Sequence, residues 1–173
     1  MFRDCKKPLS KEYEMTGLAY TDRWGKQHVP QQGAVIRPRA CAFAVIIAYG
    51  KILLSWPKYA PDLPELPGGG IEQGENTEQA LIREIEEEAA LCCTHLAPEK
   101  SFTQQAKFYA DFEKEFWDYD QTYWRIEQSV AEQLYFEGER TPEDALKSGW
   151  VDVSALPSQN LHAIHKAALR ELL

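Results

Sequence analysis

No run of 18 uninterrupted apolar residues occurs in this chain, so no membrane-crossing helix is expected. The opening MFRDCKKPLSKEYEM has no apolar core of signal-peptide length, which points to a cytoplasmic protein. Cysteine is scarce. Cys5, Cys41, Cys92 and Cys93 form no metal-ligand spacing, and reduced thiols, three of them in core elements, are expected. Basic residues are outnumbered, 19 Lys and Arg against 27 Asp and Glu, and the net charge of −8 disfavours a broad nucleic-acid surface. An anionic ligand held through a metal stays open, because a bound cation changes the local field. Repeats, low-complexity tracts and linkers are lacking, so residues 1–173 are expected to form a single domain with a sizeable core.

What is present is a succession of apolar segments and turn signals. Residues 17–29 read as extended chain broken at Asp22–Gly25, a hairpin pattern within an N-terminal extension over 1–39. Ala40–Tyr49 is continuously apolar, as in a buried strand, and Gly50 marks the turn into a second strand, Lys51–Trp56. Pro57, Pro61, Pro64 and Pro67 restrict the loop that follows. Further strands are expected over 102–112, 121–129, 133–137 and Trp150–Val153. A helix over Leu161–Leu173 closes the chain, with Leu161, Ile164, Ala168 and Leu172 on one side. This order implies an α/β (α+β) protein with a mixed sheet between helices. His28, His95, His162 and His165 form no metal motif. His162 and His165 share a helical face and are expected as a surface pair.

The densest signal is residues 69–91, GGIEQGENTEQALIREIEEEAAL. Gly68, Gly69 and Gly70 permit backbone closed to other residues, and Gly74 permits a second bend before Glu75. Thr77 is an N-cap or first-turn residue of the helix that follows. Leu81, Ile82, Ile85, Ala89 and Cys92 fall on one stripe, the core face. Glu84, Glu87 and Glu88 fall on a neighbouring arc. Like charges at i, i+3 and i+4 repel, so something positive should offset them. A hard divalent cation with oxygen ligands suits that arc, and Arg83 is spaced to pair with Glu87. Acidic runs usually form only a solvated helix face. Here the run is tied at fixed spacing to a glycine turn, to Glu75 and to Arg83.

The stretch resembles the signature of the Nudix hydrolases, G-x5-E-x7-R-E-U-x-E-E-x-G-U, where U is a bulky aliphatic. Gly69 and Glu75 supply the first two positions, Arg83 and Glu84 the Arg-Glu pair, Ile85 and Leu91 the aliphatics, and Glu87 and Glu88 the paired acids. One position departs, Ala90 standing where the signature has glycine. The resemblance implies a Nudix-type α/β/α sandwich with a mixed central sheet. It also implies a metal-dependent hydrolase of phosphoanhydrides in nucleoside diphosphate-linked substrates. Mg²⁺ or Mn²⁺ would be held by Glu84, Glu87 and Glu88. Glu87 is a candidate general base. So are Glu143 and Asp144 in the segment EGERTPEDALKSGW, which also offers Glu139. Glu75 is expected to support the loop or Arg83. A catalytically silent nucleotide-binding module is the alternative. An isomerase of the prenyl-diphosphate type would need a partner for Cys41 that the sequence does not show.

Substrate choice is thinly written. Residues 108–124 are rich in aromatic side chains of the kind that stack on bases. Tyr109 lies downstream of the signature at a spacing similar to that in Nudix enzymes acting on diadenosine polyphosphates. The proline pattern of ADP-ribose pyrophosphatases and the upstream coenzyme A motif are missing. Candidate substrate-binding residues are Gly69, Gly70, Trp56 and Tyr109, with Lys58 beside Trp56. Nucleoside triphosphates and nucleotide sugars stay open beside dinucleoside polyphosphates. Residues 13–36 are similar to the dimerising extensions of some family members, which leaves a homodimer open.

Overall fold

The structure, a computed structural model, describes residues 18–136 and 142–173. Cys5 and Glu139 lie outside the described residues. The expected hairpin forms: Tyr20–Thr21 (β1) pairs antiparallel with Gln27–His28 (β2). Asp22 closes the turn, accepting the Trp24 and Lys26 N–H groups at 3.0 and 2.9 Å. The apolar run after it is Ile36–Val45 (β3) and Ile47–Ala48 (β4), followed by Lys51–Pro57 (β5). The glycine segment Gly68–Gly70 is itself a short strand (β6). Thr77–Ala89 (α1), Pro98–Ala110 (β7), Glu115–Ile126 (β8), Gln128–Phe136 (α2), Ala145–Asp152 (β9) and His165–Leu172 (α3) complete the chain.

Two sheets result, one of six strands in the order β2-β1-β7-β8-β3-β6 and one of three in the order β4-β5-β9. The larger is mixed: β3 runs parallel to β8 and antiparallel to β6. Alternation along β3 divides the core. Cys41, Phe43 and Val45 pack with Leu169 and Leu172 of α3. Ala42, Ala44 and Ile46 pack with Leu81 and Ile85 of α1 and Ala131 and Leu134 of α2. Helices therefore cover both faces of a mixed sheet, which is the expected class. No helix among the described residues is long and apolar enough to cross a membrane.

Several expectations are corrected. Residues 133–136 are helical, not extended. Ala131 and Leu134 sit three apart on one buried face, with Val130 and Tyr135 beside them, a helical spacing that a short apolar run disguises. The strand expected over 121–129 ends at Ile126, and the one over 102–112 ends at Ala110. The last helix begins at His165, not Leu161. Residues 163 and 164 form a turn, closed by the His165 N–H on the His162 carbonyl. Cys92 is exposed rather than on the α1 core stripe, because the helix stops at Ala90.

The two histidines are the largest correction. His162 and His165 are buried, 3% and 0% exposed. Phe43 and Tyr123 meet the His165 ring edge-on at 4.7 and 5.9 Å. Phe108 lies 5.4 Å from His162. Burial holds both imidazoles neutral, at about 3 for His165 and, with Arg23 and the neighbouring imidazole opposing a second positive charge, about 2 for His162.

Candidate active site

The site is built where β6 meets α1. The helix start is fixed by a capping box: Asn76 Oδ1 accepts the Gln79 N–H at 3.0 Å, and Gln79 Oε1 accepts the Asn76 N–H at 2.9 Å. Thr77 is thus the first helical residue, and Asn76 the cap. Ala80, Leu81, Ile85 and Ala89 bury one face of α1. That anchoring turns Arg83, Glu84, Glu87 and Glu88 toward the glycine strand.

Arg83 is the hub. Its Nε and Nη2 donate to the two Glu75 carboxylate oxygens at 2.8 and 3.0 Å. Nη1 donates to Glu84 at 2.8 Å and Glu87 at 3.1 Å, and Nη2 to the Gly70 carbonyl at 2.9 Å. The fork thus spends its donors on three carboxylates and a backbone oxygen. Glu75, bonded to Arg83 and to the Glu72 N–H, is held down at about 2. The hydrogen bond to Glu75, chief among these contacts, pushes Arg83 up. Glu75 accordingly supports Arg83 and the loop, as expected.

Glu88 is placed differently. Half-buried, it turns its carboxylate inward to accept the Gly68 N–H at 3.0 Å and the Ser55 hydroxyl at 3.3 Å. Among the described residues it has no ion pair. Burial pushes its carboxyl well above the usual range, and the Glu65 and Glu84 charges add to this against the pull of Gly68. Glu84, 13% exposed in its side chain, is raised chiefly by burial, with Arg83 opposing.

The glycines make this approach possible. A Cβ on Gly69 would lie 2.5 Å from Glu84 Oε1. On Gly68, whose φ is +147°, it would lie 2.2 Å from the Ala42 carbonyl oxygen. Beside these residues a cleft of about 340 Å³ opens between Pro38–Ala40 and Gly70–Glu72, with Arg83 and Glu84 on its wall.

The remaining candidates fall in different places. The backbone N–H groups of Glu143 and Asp144 both donate to the Glu87 carbonyl at 2.9 Å, which brings that segment onto the end of α1. Their carboxylates are exposed. Lys58 Nζ caps the Glu143 carbonyl. Trp56 packs against the core and carries Lys147 over its ring at 4.6 Å. Tyr109, on β7, stacks on His28 at 4.2 Å and packs on Phe116, with β8 and β3 between its strand and the glycine strand. Its contacts tie it to the hairpin rather than to the signature. Cys41 is buried and its thiol is pushed up to about 11, chiefly by burial, so it is inert.

Three contributors escape a reading of the sequence: Ser55, the Gly68 N–H and Glu65. Glu65 is buried, takes the Tyr59 hydroxyl at 3.1 Å, and pairs its backbone with Ser55. Burial pushes it up to about 7. The run PELPGG beside the signature carries no periodicity that marks it. Only the antiparallel bridge between Ser55 and Glu65 places it under Glu88.

The fold has many solved counterparts. The MutT NUDIX hydrolase of Burkholderia pseudomallei is 26% identical, with a TM-score of 0.53 over 79% of this chain and 99% of that one. The bifunctional NMN adenylyltransferase/ADP ribose pyrophosphatase of Francisella tularensis is 22% identical, with a TM-score of 0.58 over 78% of this chain and 41% of that one. The E. coli dihydroneopterin triphosphate pyrophosphohydrolase is 16% identical, with a TM-score of 0.55 over 78% and 96%. No curated protein matches the sequence. The NUDIX domain family matches residues 36–172, which include the capped helix, its glycine strand and the acids of the site. The chain therefore belongs to the Nudix family and is a hydrolase of phosphorus-containing anhydrides.

Proposed function

We propose that this enzyme hydrolyses a phosphoanhydride in a nucleoside diphosphate-linked substrate, with Mg²⁺ or Mn²⁺ held by Glu84, Glu87 and Glu88. The observation that carries this reading is Glu88, a carboxylate drawn inward onto one N–H and one hydroxyl, with no ion pair among the described residues. A desolvated carboxylate with only neutral donors is costly unless a cation arrives. Among the described residues, no three acidic, histidine or cysteine side chains already converge as a closed metal shell. The donor set nonetheless fits a hard ion: it is all oxygen, it is acidic, and it borders the cleft. When bound, the ion supplies charge neutralisation at the phosphate oxygens and acidifies water.

The chain's own residues do the rest. Glu75 fixes Arg83, and Arg83 orients Glu84 and Glu87. Gly68 and Ser55 hold Glu88 in one orientation. Gly69 lets the Glu84 carboxylate, and Gly70 the Arg39 guanidinium, come close to the strand along which the substrate phosphates bind in this reading. Glu87 accepts the proton of the attacking water, and its carbonyl keeps Glu143 and Asp144 at hand as further carboxylates. The test is release of phosphate or mononucleotide from a panel of nucleotides with Mg²⁺ or Mn²⁺, beside Glu88→Gln. Metal-dependent turnover that the substitution abolishes is expected. A folded protein that binds nucleotides and turns over none would establish the silent module instead.

A further inference from the structure

Arg39 is the cation that the catalytic cluster leaves unused. It stands on β3 at the rim of the cleft, facing Gly70, Arg83 and Glu84. Its guanidinium carbon lies over the Trp117 ring, 4.3 Å from the centroid. On the other side it touches Gly70 so closely that a Cβ there would sit 3.0 Å from Nη2. Trp117 is itself locked, because its Nε1–H donates to Glu115 at 3.1 Å and Glu115 pairs with Arg37 at 2.9 Å. A guanidinium held over an indole is attracted to the ring face and still has N–H donors to offer.

The two arginines of the cleft differ in what they have left to give. Arg83 is matched by Glu75, Glu84 and Glu87. Arg39 has no ion pair among the described residues and is exposed. Glu115, the nearby acid, is engaged with Arg37 and Trp117. A guanidinium at the rim of such a cleft, with no carboxylate paired to it among the described residues, can receive a second anion.

Resting on the hydrolase reading above, we propose that Arg39 anchors a phosphate beyond the scissile diphosphate. The preferred substrates are then polyphosphates with at least three phosphates in line, not nucleoside diphosphates linked to a neutral sugar. Nucleoside triphosphates and dinucleoside polyphosphates share that chemistry, and the assay separates them.

The test compares wild type, Arg39→Ala and Arg39→Lys on nucleoside triphosphates, a dinucleoside tetraphosphate, ADP-ribose and a nucleotide sugar. Arg39 is exposed, so both variants fold. Loss of one charge-assisted contact should raise KM for the polyphosphates by about ten- to a hundredfold, with kcat little changed and KM for the diphosphate-linked substrates within about twofold. Arg39→Lys should recover part of the loss, because it keeps the charge and not the fork. A wild-type preference for the diphosphate-linked substrates would overturn the proposal, as would an equal change on every substrate or none. A wild type that turns over nothing sinks the hydrolase reading instead. Calorimetric binding of inorganic tripolyphosphate then decides the matter alone: weaker in Arg39→Ala supports the anchor, and equal binding refutes it.

Discussion

Arg83 grips Glu75 through both carboxylate oxygens, at 2.8 and 3.0 Å, across eight residues that include the helix cap. This two-point contact fixes the guanidinium plane. The remaining N–H groups are thereby aimed at Glu84 and Glu87. Glu75 acts through Arg83 rather than on the substrate. Glu75→Gln keeps shape but weakens one side of the grip, so kcat should fall by about tenfold to a hundredfold, a cost typical of displaced catalytic groups. Substrate KM should move little. Steady-state kinetics on the best substrate of the panel checks this, and a KM effect without a kcat effect would count against it.

Glu88→Gln separates stability from activity. The substitution removes a charge that burial and two neighbouring acids disfavour, while Gly68 keeps an oxygen to bond. Activity should be lost. Melting temperature in metal-free buffer should rise, by about 2–4 °C for each kcal/mol relieved. Thermal unfolding with and without Mg²⁺ reads both effects. A lower melting point in metal-free buffer would show Glu88 to be structurally stabilising rather than held for a cation.

Helical spacing made the core of the site legible. Gly69, Glu75, Arg83, Glu84, Glu87 and Glu88 lie on one turn and one helix, so their offsets translate directly into shared faces. Ser55 precedes Glu88 by 33 residues and meets it only because β5 lies near α1. Arg39 reaches Gly70 only through the β3–β6 register, where Cys41 faces Gly70. No local pattern encodes such pairings. His162 and His165 are polar yet buried, so polarity alone does not place them. A histidine held neutral packs like an aromatic ring, and the apolar neighbours that hold it so come from β3, β7 and β8.

Ala90 departs from the family signature without touching the chemistry. It adopts φ 54°, ψ 30°, a left-handed cap, with its N–H on the Glu86 carbonyl. That conformation costs a residue with a Cβ about 1 kcal/mol, and glycine almost nothing. Ala90→Gly should therefore stabilise the protein by about 1 kcal/mol and raise the melting point by about 2–4 °C. Its kcat and KM should be unchanged, because Glu87 and Glu88 already sit in the regular helix. Calorimetry of both proteins settles it. A gain in activity would mean that the strained cap distorts the acids.

Acid sensitivity should be shaped by groups that pull in opposite directions. His162 and His165, held at about 2 and 3 against an ordinary 6.5, bind fewer protons folded than unfolded. Their contribution is complete above pH 6.5 and is lost as pH falls toward 3, each at about 1.4 kcal/mol per pH unit. Glu65, raised from 4.5 to about 7, has the reverse sign: its contribution is complete below pH 4.5 and is lost as pH rises through 7. Between pH 4.5 and 6.5 it offsets one histidine. Glu65→Gln removes the offset, so stability should fall more steeply on acidification, by about 1.4 kcal/mol per pH unit relative to wild type. Urea unfolding at pH 4.5, 5.5 and 6.5 measures the slope. Parallel slopes for the two proteins would mean that Glu65 does not take up a proton on folding in this range. Imidazole resonances from His162 and His165 should stay in the neutral form throughout, so long as the protein remains folded.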